Sequence, residues 1–319
     1  MKDSSLFKGC FAITVYLANR SQELQAISLK TRIAKSTGNL ARTMADQSAK
    51  DHWSSTAYTA SASFVPQLAS TVSRWLDPQE SDTILDLGCG DGPLTAQIKQ
   101  KCSSVVGVDA SGAMIQAAKK SYGDIDGLTW YACDCRFLEQ NPEIGRTKYD
   151  KVFSNAALHW ILRDPSTRIS VLRGAYSLLK PRGLFVFEMG GAGNVADAHT
   201  ALLAAVVHQG LSIVEAREAC PWFFPSEKWM RQMLEEVGFT VEKSETEYRP
   251  TKLTTAKEGG LEGWARLMGA QFLEALPSKE KHEAAVKEVC DTLQSVLTHE
   301  EDGSMWLGYV RLRVLARKM

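Results

Sequence analysis

Thr83-Ile84-Leu85-Asp86-Leu87-Gly88-Cys89-Gly90-Asp91-Gly92-Pro93 is a short apolar run closing on three alternating glycines. Residues 94–101 then resume a three- and four-residue apolar spacing, so this stretch predicts strand, glycine loop and helix in immediate succession. Working outward, the pattern recurs. Strands are expected at 104–108, 128–132, 149–154 and 184–188, with helices at 111–121 and 169–179 between them. Strands alternating with helices at this spacing make βαβ units, hence a parallel sheet covered on both faces. Upstream, Trp53, Tyr58, Phe64, Leu68, Val72, Trp75 and Leu76 suggest one or two amphipathic helices ended by Asp77-Pro78. Downstream come helices at 195–208 and 226–237, the second N-capped by Ser226 and stopped by Gly238, then a strand at 240–248. Two helical stretches, 261–276 and 279–297, precede a final strand at 306–316. The predicted class is α/β, with a doubly wound, mostly parallel, seven-stranded sheet and a helical lid, 256–300, inserted before the last strand.

The chain has 319 residues, 44% of them hydrophobic, and 37 basic side chains against 37 acidic. That balance leaves no uniform field for nucleic acid or an anionic membrane, and neither is expected as a partner. Seven cysteines without zinc spacing read as reduced thiols; no metal site is expected. No run approaches the roughly 18 apolar residues of a membrane helix. Residues 1–44 stand apart, with seven basic side chains against two acidic. They are expected to be a disordered tail or a targeting segment, which makes the location cytoplasmic or, on the second reading, mitochondrial. Residues 45–319 form the remaining domain, in which 45–78 supply covering helices and 83–188 a cofactor-binding core.

Glycines at a strand-to-helix turn let a ligand approach backbone closely. Their spacing here is G-x-G-x-G, unlike the G-x-G-x-x-G that sets a helix N-terminus on a pyrophosphate. Asp86 just ahead of them would repel a diphosphate but suits the ammonium of an amino acid. Asp109 ends the second strand, where a carboxylate can accept both hydroxyls of a ribose. Asp134 ends the third, placed for an adenine amine. Amino acid, ribose and adenine together describe S-adenosylmethionine.

Residues 85–92, Val106-Gly-Val-Asp109-Ala-Ser-Gly-Ala-Met114, Asp134, Asp150-Lys-Val-Phe-Ser-Asn155-Ala-Ala-Leu-His-Trp160 and Leu179-Lys-Pro-Arg-Gly183 form an ordered series. The series resembles the Rossmann-like class I S-adenosylmethionine-dependent methyltransferases. His159-Trp160 resembles the trans-aconitate and malonyl-carrier-protein methyltransferase group. The resemblance implies that Asp86, Gly88 and Gly90 line the methionine moiety, Asp109 holds the ribose, Met114 packs on adenine, Asp134 reads its amine and Asn155 touches the cofactor. Cys89, Ala110 and Cys135 lie in the same loops and join this set. Trp53 and Tyr58 match aromatic positions that close over the cofactor.

Methyl transfer is an in-line displacement in which the protein aligns reactants and excludes water, so a base is optional. A carboxylate acceptor is already ionised, whereas a hydroxyl gains from a base. His159 is the candidate catalytic residue, as base or as acceptor-positioning group. Trp160 is a candidate pocket wall, and Trp264 with Phe272 occupies the lid. Arg249, or Arg266 in the lid, could grip a carboxylate in a two-point fork. The expected function is O-methylation of a carboxylate or hydroxyl on a small molecule by a monomer or homodimer. Three other readings are weighed against it. A nicotinamide oxidoreductase would not carry Asp86 and this glycine spacing, and a non-catalytic scaffold would not need an intact cofactor loop. An adenine-N6 nucleic-acid methyltransferase would carry an Asn/Asp-Pro-Pro-aromatic loop where Asn155-Ala-Ala-Leu stands.

Overall fold

The computed structural model describes residues 51, 53–62, 69–255 and 259–319. The readings made for residues 1–44, and the start of the lid at 256–258, lie outside the described residues. In chain order the elements are α1 (Ser55–Ala62), α2 (Ser70–Leu76), β1 (Thr83–Leu87), α3 (Pro93–Lys99), β2 (Ser104–Asp109), α4 (Gly112–Tyr122) and β3 (Leu128–Ala132). A 3-10 turn (Cys135–Gln140) and α5 (Pro142–Gly145) lead to β4 (Tyr149–Asn155), the single turn α6 (Leu158–Ile161), α7 (Arg168–Leu178) and β5 (Leu179–Gly190). Then follow α8 (Ala196–His208), α9 (Ile213–Glu218), α10 (Glu227–Val237), β6 (Phe239–Lys252), α11 (Gly260–Met268), α12 (Ala270–Glu274), α13 (Lys279–Leu297) and β7 (Trp306–Lys318).

The seven strands form one sheet in the order β3-β2-β1-β4-β5-β7-β6. β1 to β5 pair in parallel, and β7 runs antiparallel between β5 and β6. The order reverses direction at β1 and β4, the switch point where an open α/β sheet leaves a crevice beyond its strand ends. β1 is buried along Ile84 to Leu87 because helices cover both its faces, which is why it reads as a continuous apolar run. β6 lies at the edge, and its exposures largely alternate.

Leu85, Leu87, Val152, Phe185, Phe187 and Val314 fill the core on one face. Ile84, Phe153, Val186 and Leu315 point to the other, against α2 and α3. A third apolar cluster lies beyond the sheet: α8 and α11 to α13 close on one another and on Leu307 and Tyr309 of β7. The segment between β6 and β7 thus shares a core with α8 and Trp222 from the β5–β6 connection, anchored where β7 enters the sheet.

Helix ends follow local chemistry. Ser226 Oγ accepts from Trp229 N, and Gly238 takes the left-handed φ of 113° that ends α10. Three expectations shift. β5 begins at Leu179, five residues before the apolar run at 184, because its Lys180-Pro-Arg-Gly183 stretch reads as a turn. β6 runs on to Lys252 through Pro250, a residue that an edge strand tolerates. α9 is unanticipated, although Ser212 and Glu215 form a full capping box at its start.

Candidate active site

The crevice at the switch point is built first by β1 and β2. Asp86 is 3% exposed and accepts from the Thr95 hydroxyl at 2.6 Å, a residue on the first turn of α3. Burial pushes its carboxyl up to about 7; the nearby Asp109 adds to this while Thr95 opposes it. Asp109 accepts from Gly90 N at 3.0 Å and from Ser111 N at 2.9 Å, so its carboxylate is locked across the glycine loop. Gly88 holds φ of 74°, and a Cβ there would lie 2.1 Å from the Ala157 Cβ. Gly90, with φ of 57°, has nothing within 4 Å of the place a Cβ would take, so the loop presents bare backbone to the crevice.

Asn155 ends β4 beside this loop, and its Oδ1 is buried with no hydrogen-bond partner. A buried acceptor left unsatisfied is costly and needs an explanation; a donor brought by a ligand supplies one. Ala156, next in the chain, sits at φ of 57° and donates its N–H to the Glu188 carbonyl at 2.8 Å. Met114 is buried on α4, capped by Ser111. Asp134 caps the 3-10 turn, and the Arg136 guanidinium grips its carboxylate, Nε to Oδ2 at 2.8 Å. Its oxygens are therefore shared, and an adenine amine would have to compete with that grip. The Cys89 and Cys135 thiols are pushed well up by burial and by the carboxylates near them, so both stay protonated. Ala110 is exposed at the rim.

α1 covers this half. Ser55 Oγ donates to Asp91 Oδ2 at 2.6 Å, and Thr254 Oγ1 donates to the Ala60 carbonyl at 2.5 Å. Trp53 meets Tyr58 with ring centroids 6.0 Å apart and Trp160 at 5.1 Å, edge to face. The structure thus brings Trp53, Tyr58 and Trp160 together from distant parts of the chain.

On the other side, α6 sets His159 into the protein at 7% exposure. Its Nδ1 accepts from Gly190 N at 3.3 Å, which assigns the proton to Nε2. Burial, reinforced by Arg311, pulls its pKa down to about 3, so the ring is neutral. Phe223 N donates to the His159 carbonyl at 2.8 Å, which joins the aromatic 221–225 turn to the site.

The lid and edge residues behave differently from the sequence expectation. Trp264 is 2% exposed and donates its indole N–H to the Tyr309 hydroxyl at 2.7 Å. It forms the packed wall behind the crevice. Arg249 binds Glu188 at 2.8 Å, and Arg266 lies on the lid surface between Glu262 and Glu283. Neither arginine is available as expected, because a carboxylate of the chain already holds each. Sequence reasoning missed Glu188, Tyr309, Arg311 and Arg313. The signal was present in two arginines at alternate positions of the otherwise apolar β7, a pattern that puts both on one buried face.

Alternating glycines, a ribose-competent carboxylate, a second buried carboxylate and an orphaned amide oxygen fit a nucleoside–amino acid ligand. They define a site for S-adenosylmethionine. Comparison with known proteins agrees. A model of the methyltransferase domain matches residues 85–185. An uncharacterized methyltransferase of Schizosaccharomyces pombe is 37% identical over 269 residues, spanning 84% of this chain and 99% of the relative. A trans-aconitate 2-methyltransferase of Azoarcus is 23% identical over 240 residues, 74% of this chain and 87% of that one. A malonyl-[acyl-carrier protein] O-methyltransferase of Halalkalibacterium halodurans is 28% identical over 156 residues, 48% and 55% of the two chains. A solved Bacillus halodurans protein described as a candidate methyltransferase shares the fold, with a TM-score of 0.52 at 16% identity over 79% of this chain and 99% of that one. The chain belongs to the class I S-adenosylmethionine-dependent methyltransferases. It is an enzyme whose cofactor is S-adenosylmethionine, which sets aside the scaffold and nicotinamide readings. No described helix is long and apolar enough to cross a membrane.

Proposed function

We propose that the enzyme methylates a carboxylate oxygen of a small, diffusible organic acid. The observation that carries this reading is the state of His159: neutral, with Nδ1 occupied by Gly190 N and Nε2 bearing the proton. Such a ring donates a hydrogen bond from Nε2 while its one lone pair, on Nδ1, is turned to Gly190 N, so it positions an acceptor oxygen and is not placed to act as a base. An alcohol or phenol would need that base; a carboxylate arrives ionised. The Azoarcus and H. halodurans relatives, named for trans-aconitate and malonyl acceptors, are in keeping with a carboxylate acceptor.

Bound S-adenosylmethionine supplies a methyl carbon activated by its sulfonium, which an acceptor oxygen takes as the carbon–sulfur bond breaks and the electron pair stays on sulfur. The chain does the rest. Asp109 and the Gly88–Gly90 loop would hold ribose and methionine; Asp86 would face the ammonium, and Asn155 Oδ1 would accept from the cofactor. Trp53, Tyr58 and Trp160 would exclude water, while α11 to α13 close the acceptor half. No proton needs to move. The balanced charge gives no pull toward a nucleic acid or an anionic membrane, in keeping with a small-molecule acceptor.

Calorimetric titration with S-adenosylmethionine, S-adenosylhomocysteine and NAD, followed by labelled-methyl transfer to carboxylic acids and phenols, tests the reading. Micromolar binding of both sulfur ligands, no NAD binding, and base-labile methyl esters as products are expected. Transfer to phenols alone would overturn it.

A further inference from the structure

Three arginines and one glutamate meet where β5, β7 and β6 run side by side. Glu188 is 2% exposed and receives Arg249 Nη2 at 2.8 Å on Oε1 and Arg313 Nε at 2.6 Å on Oε2. Arg313 also holds Glu245 at 2.5 Å and Glu247. Arg311 is left over. It is 3% exposed, its Nε lies 3.8 Å from Glu188 Oε1, and that Nε is buried with no hydrogen-bond partner. Its register neighbours explain this: Gly190 on β5 has no side chain, and Glu247 on β6 is committed to Arg313. What surrounds the guanidinium instead is the acceptor end of the crevice. It sits 4.6 Å over the Tyr309 ring, and its strand partner Gly190 is the residue whose N–H binds His159 Nδ1 at 3.3 Å.

Glu188 is the anion nearest Arg311, but both its oxygens already accept hydrogen bonds from Arg249 and Arg313, and a guanidinium held out of water at 3.8 Å without a hydrogen bond is unfavourable unless a further partner completes it. Arg249 is held by Glu188 through Nη2 at 2.8 Å and Arg313 by Glu188, Glu245 and Glu247, whereas among the described residues no hydrogen bond holds Arg311; His159 is neutral and cannot answer an incoming anion. We infer that Arg311 is the residue that selects the acceptor, pairing with a carboxylate of the organic acid at the end of β5 and turning it toward His159. The inference rests on the methyltransferase reading above and adds to it the cation that rejects uncharged acceptors. Tyr309, fixed by Trp264, backs the guanidinium, so a lid residue acts on selectivity through Arg311 without touching the acceptor.

The test uses the full chain loaded with S-adenosylhomocysteine. Titration with trans-aconitate, succinate and benzoate, each against its methyl ester, is expected to show an acid bound at least about 30-fold tighter than its ester. Arg311→Gln should leave S-adenosylhomocysteine affinity within about twofold while weakening that acid about 100-fold, and Arg311→Lys should recover roughly tenfold of the loss. With labelled cofactor, the loss should appear in KM with little change in kcat. Acids and esters binding alike, no acid in the panel binding, or Arg311→Gln binding the acid as wild type does would each overturn the inference. The ester comparison needs no variant and decides the matter even if Arg311→Gln does not fold. Failure of the wild type to bind S-adenosylhomocysteine would instead strike the cofactor reading, and the inference would fall with it.

Discussion

Replacing Asp86 by Asn should make the ligand-free protein more stable at alkaline pH and less able to bind its cofactor. The Asp86 carboxyl titrates at about 7 in the folded chain, against an ordinary 3.8, chiefly because it is buried. The native state therefore binds more protons than the unfolded state between these values. Stability conferred by the protonated acid is present at low pH, declines as pH rises through the window, and is gone above 7. A shift of about three units at about 1.4 kcal/mol each amounts to about 4 kcal/mol, of which some 3 kcal/mol falls between pH 5 and 8. Asn keeps an oxygen for the Thr95 hydroxyl and carries no charge, so it lacks this loss. Urea unfolding of wild type and Asp86→Asn at pH 5 and pH 8 should show the variant gaining about 3 kcal/mol on the wild type between the two. Saturating S-adenosylhomocysteine, whose ammonium Asp86 would face, should shrink the pH dependence of the wild type. An equal stability difference at both pH values would refute the reasoning, since the group would then ionise alike in both states.

Asp109→Ala should weaken S-adenosylmethionine binding by about 100-fold in calorimetry, because it removes the carboxylate proposed to hold the ribose and also frees the Gly90 and Ser111 amides. His159→Ala should leave that affinity near normal while lowering kcat, and wild-type kcat should show no inflection between pH 5 and 8 assignable to His159. Gly88→Ala combines a left-handed φ with a 2.1 Å approach to Ala157 and should destabilise the protein by 2 kcal/mol or more, read as a fall in urea midpoint.

The placement of Asp86, Gly88, Gly90 and Asp109 beside one crevice was legible in the sequence because they sit at strand ends within two short windows. The acceptor half was not. Arg249 and Arg266 were reasonable candidates for a carboxylate grip, yet Glu188, Glu262 and Glu283 claim them, and those pairings depend on which strands and helices become neighbours. Arg311 matters through the absence of a side chain at Gly190 and the commitment of Glu247 to Arg313, facts of strand register that no local pattern records. The tautomer of His159 likewise depends on an amide 31 residues away. Trp53, Tyr58 and Trp160 were picked singly as pocket aromatics; their mutual contact emerges only when α1 folds over α6.

Ala156 holds a backbone conformation that an L-residue adopts at a cost of about 1–2 kcal/mol, at the bend between the end of β4 and the turn carrying His159 and Trp160. Selection for thermal robustness would favour glycine there, and the same change would let the bend swing and misdirect the His159 N–H. The methyl group of one alanine thus sets stability against turnover, and variants gathered by heat challenge alone should lose activity first at this corner.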